Sequence, residues 1–396
     1  MCEAVIVDAV RTAGGRRHGS LSGWHPADLL AEVLAALVAR TGIDPGVIDD
    51  VIVGCVTQVG AQGFNIARNA VLAAGWPESV PATTVDRQCG SSQQALHFAA
   101  QAVMAGAHDV IVAAGVETMS SVPMGAARVK GLGKPFGPRM IDRYRSAGGL
   151  VQQGISAELI ADKWRLSREE LDGFALRSHQ SAARATEQGR FRSEIVPVTV
   201  KRRDRETGEV EEMADVLESD EGIRYGTSAG ALADLKPVFR DNGVVTAGNS
   251  SQITDGASAC LIMNGDAARA AGFRPRARIT AFALAGVDPV MMLTGPIPAT
   301  RKILMRCGLE IGDIDLIEIN EAFASVVLAW QRELGADLAR VNVNGGAIAL
   351  GHPLGATGTK LFATLVNELE RTDSSVGLVV MCEGGGMANA TIIERM

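Results

Sequence analysis

The chain has 396 residues and carries 38 Lys and Arg against 45 Asp and Glu, a formal charge of −7. That length fits two or three domains sharing a large core. With 47% hydrophobic and 21% charged residues the chain is globular, and its acidic balance, without a long Lys/Arg run, excludes disorder and argues against a nucleic-acid or membrane-surface role.

Apolar runs alternate with amphipathic stretches, the pattern of an α/β protein. In chain order the runs that read as buried strands are Ala4–Val7, Val51–Cys55, Val110–Gly115, Ala257–Met263, Leu316–Ile319, Leu378–Cys382 and Thr391–Ile393. Helical patterns between them cover Pro26–Thr41, Gly90–Gly106, Thr300–Cys307 and Gly358–Leu369. The N-terminus, MCEAVIVDAVRTAGG, has no basic region leading into an apolar core, so no signal peptide is expected. No stretch reaches about 18 uninterrupted apolar residues, so no membrane span is expected. The six cysteines form no CxxC pair and no zinc spacing, which predicts free thiols, no metal and a cytoplasmic location.

The chain also repeats itself. The segment around Ile48–Val53 resembles that around Ile311–Ile317. About 35 residues after each comes a Gly-rich turn opening a helix, QCGSSQQALHFAAQAVMAG in the first half and HPLGATGTKLFATLVNELE in the second. A further strand follows each helix, and the offset stays near 265 residues, so the two halves read as a duplicated unit. In the second half the last two strands are joined by a short turn, EGGGMANA; in the first half their counterparts lie roughly 140 residues apart. This insertion, with helical stretches Ser156–Trp164 and Arg168–Gln188 and a charged stretch Lys201–Glu212, reads as a ligand-binding subdomain grafted onto a sheet edge, or as an oligomerisation arm.

Four segments carry candidate chemistry. Cys89, in Val85–Ser92, falls where a strand run gives way to a helix, and a helix N-terminus is expected to lower a thiol's pKa. The bland alternative is a small buried hydrophobe. His352 lies among tight turns in NVNGGAIALGHPLGATG, at the repeat position matching the Cys89 turn. Equivalent loops of a pseudo-twofold pair meet, so this histidine can serve the thiol as a base. The other histidines, His18, His25, His97, His108 and His179, lack such a setting. Cys382 ends a strand run before Glu383 and three glycines, Gly384, Gly385 and Gly386, whose backbone can approach a ligand. Asn320, in Asn320–Ala324, reads locally as a helix N-cap.

Taken together and in this order, these four segments resemble the thiolase family, across essentially the whole chain. The resemblance implies an α/β thiolase-like fold: two duplicated βαβαβ halves forming a five-layered α-β-α-β-α core. The N-terminal half would be residues 1–120 plus 245–270, the inserted CoA-binding loop domain 121–244, and the C-terminal half 271–396. It implies an acyltransferase that cleaves a 3-ketoacyl-CoA with CoA through an acyl-Cys89 intermediate, with no resident cofactor because CoA is itself a substrate. His352 would activate Cys89, Cys382 would be the acid/base toward the acetyl-CoA carbon, and Asn320 would hold a water that forms one oxyanion hole with His352. The N–H groups of Cys89 and Gly384 would form the other. Ser251, Ala322, Phe323 and Met292 match positions along the pantetheine. Gln152-Gln153 stands where short-chain acetoacetyl-CoA thiolases commonly show His-Met, and QGISAELIADKW with CEGGGMANATIIER looks more like thiolases of actinobacterial steroid and bulky acyl-CoA degradation. The alternative is a biosynthetic acetoacetyl-CoA thiolase. A decarboxylating ketosynthase would lack the second cysteine, and a non-catalytic acyl-CoA-binding relative would lack Cys89 or His352. Family members pair through their core sheets, implying a homodimer or homotetramer.

Overall fold

The computed structural model describes residues 2–396. Its strands are β1 (Ala4–Thr12), β2 (Gly15–Arg16), β3 (Asp50–Gly54), β4 (Ala82–Val85), β5 (Val110–Thr118), β6 (Ile195–Val196), β7 (Val198–Arg203), β8 (Val210–Leu217), β9 (Thr254–Asn264), β10 (Ala277–Gly286), β11 (Leu316–Ile319), β12 (Val376–Glu383) and β13 (Met387–Arg395). Its α-helices are α1 (Pro26–Thr41), α2 (Ile66–Ala73), α3 (Ser91–Met104), α4 (Pro138–Tyr144), α5 (Gln153–Trp164), α6 (Arg168–Glu187), α7 (Ala229–Ala233), α8 (Gly265–Ala270), α9 (Pro296–Cys307), α10 (Ala324–Leu334), α11 (Ala347–Leu350) and α12 (Thr357–Thr372).

The duplication is written in the strand order. The first half runs β4-β3-β5-β9-β1 and the second β11-β12-β13-β10. In each half the two strands preceding the last are parallel neighbours, and the last two pairings are antiparallel. The partner matching β4 is reduced to a single parallel bridge, Ile317 to Val341. Even local ties recur: Asp49 Oδ2 accepts the N–H groups of Asp109 and Val110, and Asp315 Oδ2 those of Ser375 and Val376. A two-residue antiparallel contact between β1 and β10 joins the halves edge to edge.

Three apolar clusters define the layers. One packs α1 and α2 on the outer face of the first half, and a second packs α9 and α10 on the outer face of the other. The third holds α3 and α12 between the two halves. The result is five layers, α-β-α-β-α. Because α12 faces a sheet on both sides, it is buried almost all round, including Thr357, Thr359, Lys360, Thr364 and Glu368. A helix so placed must satisfy its polar groups internally: Thr364 donates to Glu194 (2.9 Å) and Lys360 to two backbone carbonyls.

The insertion leaves β5 and returns as β9. These are neighbours inside the sheet, not edge strands, so the expected edge graft is corrected: it springs from strand ends in mid-sheet. The charged stretch Lys201–Glu212 belongs to the β7–β8 hairpin. The last strand also starts earlier than its apolar run indicates, leaving only Gly384–Gly386 as the turn after β12.

Arg11 of β1, wholly buried, fastens the insertion to the core. Its Nε donates to Glu194 (2.6 Å), and its Nη1 and Nη2 to Asp220 (2.8 and 3.0 Å). Burial alone would push the guanidinium down, but the two carboxylates outweigh it and hold it above its ordinary value. Replacing Arg11 with Met strands two buried carboxylates, which costs about 3–5 kcal/mol. The expected outcome is a markedly lower urea midpoint at neutral pH; an unchanged midpoint would refute the role.

Candidate active site

Cys89 stands in the turn between β4 and α3. Gln88, just before it, has φ +48, a left-handed conformation that costs a non-glycine residue about 1–3 kcal/mol. Asp86 offsets this by accepting the Gln88 N–H (2.6 Å). The backbone N–H groups of Gly384 and of Cys89 itself favour the ionised sulfur. The expected lowering by the helix terminus does not occur. Burial pushes the thiol up, the nearby Cys382 and Glu383 add to it, and the two N–H contacts are too weak to reverse it. The turn's own donors are spent: Gly90 N–H bonds Arg87 O (3.1 Å) and Ser91 N–H bonds Gln88 O (3.0 Å).

His352 follows α11 and Gly351, whose φ is +80. Its N–H donates to Thr254 Oγ1 (3.0 Å). Its Nδ1 lies 2.6 Å from Thr357 Oγ1, and that hydroxyl spends its proton on Pro353 O (2.8 Å). Nδ1 must therefore carry the hydrogen, which leaves Nε2 as a bare base. Burial and Lys360 push the imidazole down to about 3, so it is neutral in the resting site.

Asn320, at the end of β11, does not cap a helix; α10 begins at Ala324. Its Nδ2 lies 3.4 Å from His352 Nε2 and 3.8 Å from the Cys382 sulfur. Cys382, in β12, is fully buried, and burial pushes its thiol up to about 12 despite the Asn320 contact. Both thiols and the imidazole are thus neutral, and the Asn320 amide stands between His352 and Cys382. Charge appears there only when a proton moves.

Three buried groups brace these loops. Glu117 of β5 accepts the N–H groups of Val56, Thr57 and Gly355 (2.9, 3.1 and 2.9 Å), tying the first half to the His352 loop. Lys360 Nζ donates to Leu350 O and Gly351 O (2.8 and 3.1 Å), and burial pushes it down to about 8. Glu321 accepts from Ser178 of the insertion (2.7 Å), Asn342 (2.8 Å) and the Ile348 N–H (3.1 Å).

The positions matched to the pantetheine also cluster. Ser251 N–H donates to Ala322 O (2.9 Å), and Ser250 bridges to Phe323. The Phe323 ring meets Phe239 edge to face at 5.9 Å, and Phe239 lies on Gly154 so closely that a side chain there would overlap its ring. Met292 belongs to the same apolar cluster and adopts φ +33. Gln152 is exposed, whereas the Gln153 amide reaches the Gly384 turn. Among the described residues no cluster of three or more His, Cys, Asp or Glu side chains is placed to hold a metal, and no helix is long and apolar enough to cross a membrane. Thr357, Phe239 and Lys360 carry no local sequence signal for these roles; Glu117 could have been found through the repeat, as the counterpart of Glu383.

This fold and this convergence of groups define a thiolase. The family profile "Thiolase, N-terminal domain" matches residues 4–266 and "Thiolase, C-terminal domain" matches 273–395, so the chain belongs to the thiolase family of acyltransferases. It is 51% identical to the steroid 3-ketoacyl-CoA thiolase FadA6 of Mycobacterium tuberculosis, over 100% of this chain and 95% of that protein. It is 45% identical to a Bacillus subtilis 3-ketoacyl-CoA thiolase over the full length of both. Among solved structures, the Bacillus anthracis acetyl-CoA acetyltransferase superposes with a TM-score of 0.89 at 39% identity, covering 100% of this chain and 99% of that one.

Thr357→Val frees the imidazole to flip its hydrogen and is expected to slow acyl-enzyme formation by about 10- to 100-fold, the usual scale for losing an oriented base. Thr357→Ser should restore most of the rate. Single-turnover CoA release from acetyl-CoA, as Cys89 is acylated, measures both.

Proposed function

We propose that this thiolase works in the degradative direction, cleaving a 3-ketoacyl-CoA with CoA into acetyl-CoA (or propionyl-CoA) and a shortened acyl-CoA. The observation that carries the assignment of roles is the Asn320 amide set between His352 Nε2 and the Cys382 sulfur. His352 takes the Cys89 proton as the sulfur attacks the 3-keto carbon. The carbon–carbon bond then breaks, its electron pair forms the acetyl-CoA enolate, and Cys382 protonates that carbon. The Cys382 thiolate then takes the proton of the CoA thiol, whose sulfur attacks the Cys89 acyl thioester; the bond from the acyl carbon to Cys89 breaks, and Cys89 recovers its proton from His352, so the kinetics are ping-pong. One developing oxyanion is held by the newly formed His352 Nε2–H with a water on Asn320, the other by the N–H groups of Cys89 and Gly384. Neutral groups suit this sequence, because charge is stabilised where it develops rather than in the ground state.

Ser251, Ala322, Phe323 and Met292 would line the pantetheine arm, and the region 121–244 would hold the rest of CoA, which serves as substrate with no further cofactor. A bulky or steroid-derived acyl chain is favoured by the likeness to FadA6, and by Gln153, which brings a carboxamide to the Gly384 turn beside Cys89. The biosynthetic acetoacetyl-CoA reading is the alternative, favoured by the likeness to the acetyl-CoA acetyltransferase. A homodimer, or a tetramer built from it, is favoured by β4, which ends the sheet with one edge unpaired, and by the nearby Phe64, 99% exposed. The free cysteines fit a reducing cytoplasm.

A panel of 3-ketoacyl-CoAs from acetoacetyl-CoA to steroid-side-chain thioesters tests the substrate. Activity confined to acetoacetyl-CoA would remove the bulky-substrate reading. Cys382→Ser should abolish carbon–carbon cleavage while Cys89 still takes up label from acetyl-CoA; cleavage at the normal rate would reject the acid/base role.

A further inference from the structure

One buried carboxyl has no part in this scheme. Glu383 ends β12 between Cys382 and Gly384, is fully buried, and has no hydrogen-bond partner on either oxygen among the described residues. Its Oε1 packs on Gly90, the residue after Cys89, so tightly that even a methyl group there would overlap it. Its counterpart in the first half is Glu117, the next-to-last residue of β5. Each carboxyl crosses to the helix-opening turn of the opposite half. Glu117 is tied to its turn by the Gly355 N–H and three further donors, including Gln62 Nε2 (2.7 Å). Glu383 is not, because the Gly90 N–H is already given to Arg87 O.

The charged and titratable groups around Glu383 are few. The turn before α3 contributes Asp86, Arg87 and Cys89, and its own strand contributes Cys382. Facing elements add the buried His97 of α3, which also feels Arg87, and the uncharged Met387 and Asn389 of β13. Arg87 is the facing cation, yet it makes no hydrogen bond to the carboxyl, and its own Nε is unpartnered. Burial outweighs Arg87 and pushes Glu383 up to about 8. When ionised, Glu383 acts on both site cysteines and raises their thiols further.

We propose that Glu383 is a positioning residue that backs the Cys89 turn as a neutral carboxylic acid, and that its loss of a proton to solvent at alkaline pH holds the Cys89 thiol protonated. Below that ionisation the residue fills its site without charge. Above it, a carboxylate beside the sulfur opposes a second negative charge. This rests on Cys89 being the reactive thiol, but not on thiolase turnover.

The test is iodoacetamide alkylation of Cys89, followed by mass spectrometry across the pH range in wild type and Glu383→Gln. At about pH 6.5 the two rates should converge; by about pH 9.5 the variant should be about tenfold faster, the scale expected for a carboxylate near a thiolate. Wild type alone should show a rate that stops rising steeply above about 8. Parallel curves, or a variant altered equally at every pH, would overturn the proposal. Glu383→Met, similar in size and uncharged, must reproduce the alkaline gain if the glutamine variant folds poorly. Thiolysis assayed alongside keeps the readings apart: lost turnover with the alkylation pattern intact would count against the thiolase reading alone.

Discussion

The site depends on how closely two backbones can approach. The loop carrying His352 belongs to the second half, yet it plugs into the strand ends of the first. A side chain on Gly54 or Gly115 would overlap the Gly355 carbonyl, and one on Gly358 would overlap the Gln93 backbone. With glycine at these points α3 and α12 lie against each other, Thr359 N–H reaches Ser92 Oγ (3.0 Å), and Ser258 Oγ reaches Ala356 O (2.6 Å). A single added methyl would part the turns that bear Cys89 and His352. Of the chain's 45 glycines, these are the ones that let the halves interlock.

Close packing sets the electrostatics. Once two turns and two strand ends meet without room for bulk water, desolvation dominates every ionisable group among them. It raises both thiols and lowers the imidazole together, so a thiolate–imidazolium pair is not the resting state. Dipoles take the place of charges: the Asn320 amide, the Gly384 N–H, and a hydroxyl that fixes the imidazole hydrogen. Such groups cost little to bury when paired and need no reorganisation when an oxyanion forms.

Much of this was legible in the sequence, for stated reasons. Strands buried on both faces read as continuous apolar runs, and those runs fall on β1, β3, β5, β9, β11 and β12. The run for α1 coincides with the helix because Pro26 and Gly42 mark its ends. β10 does not read as a buried strand because its buried residues alternate with mostly half-buried ones and its one apolar run, Ala281–Ala285, is largely alanine. The early part of β13 was hidden by small residues that look like turn. Cys89, His352 and Cys382 stood out through motif chemistry, whereas Asn320 read as a helix N-cap and took its site role only from the family resemblance. The charge states did not stand out: a helix dipole acts locally, whereas desolvation comes from residues hundreds of positions away. Thr357 and Lys360 give no signal for a different reason: their partners, His352 and Pro353 for the one and Leu350 and Gly351 for the other, are near in sequence but are met only through the path by which the chain enters α12.

The duplication also explains why there is one site and not two. Register places Gly54 where the second half has Asn320, and Val116 where it has Cys382. In the first half, therefore, the space that could hold a polar pair is closed by backbone: Gly54 and Gly115 accept the Gly355 carbonyl directly, and Glu117 stitches the seam with its four donors. In the second half the same strand ends carry Asn320 and Cys382, and the helix-opening turn opposite them carries a thiol. The first half thereby forms a rigid seat for the His352 loop. That seat holds His352 beside Asn320 of its own half, so each half's departure from symmetry serves the other's.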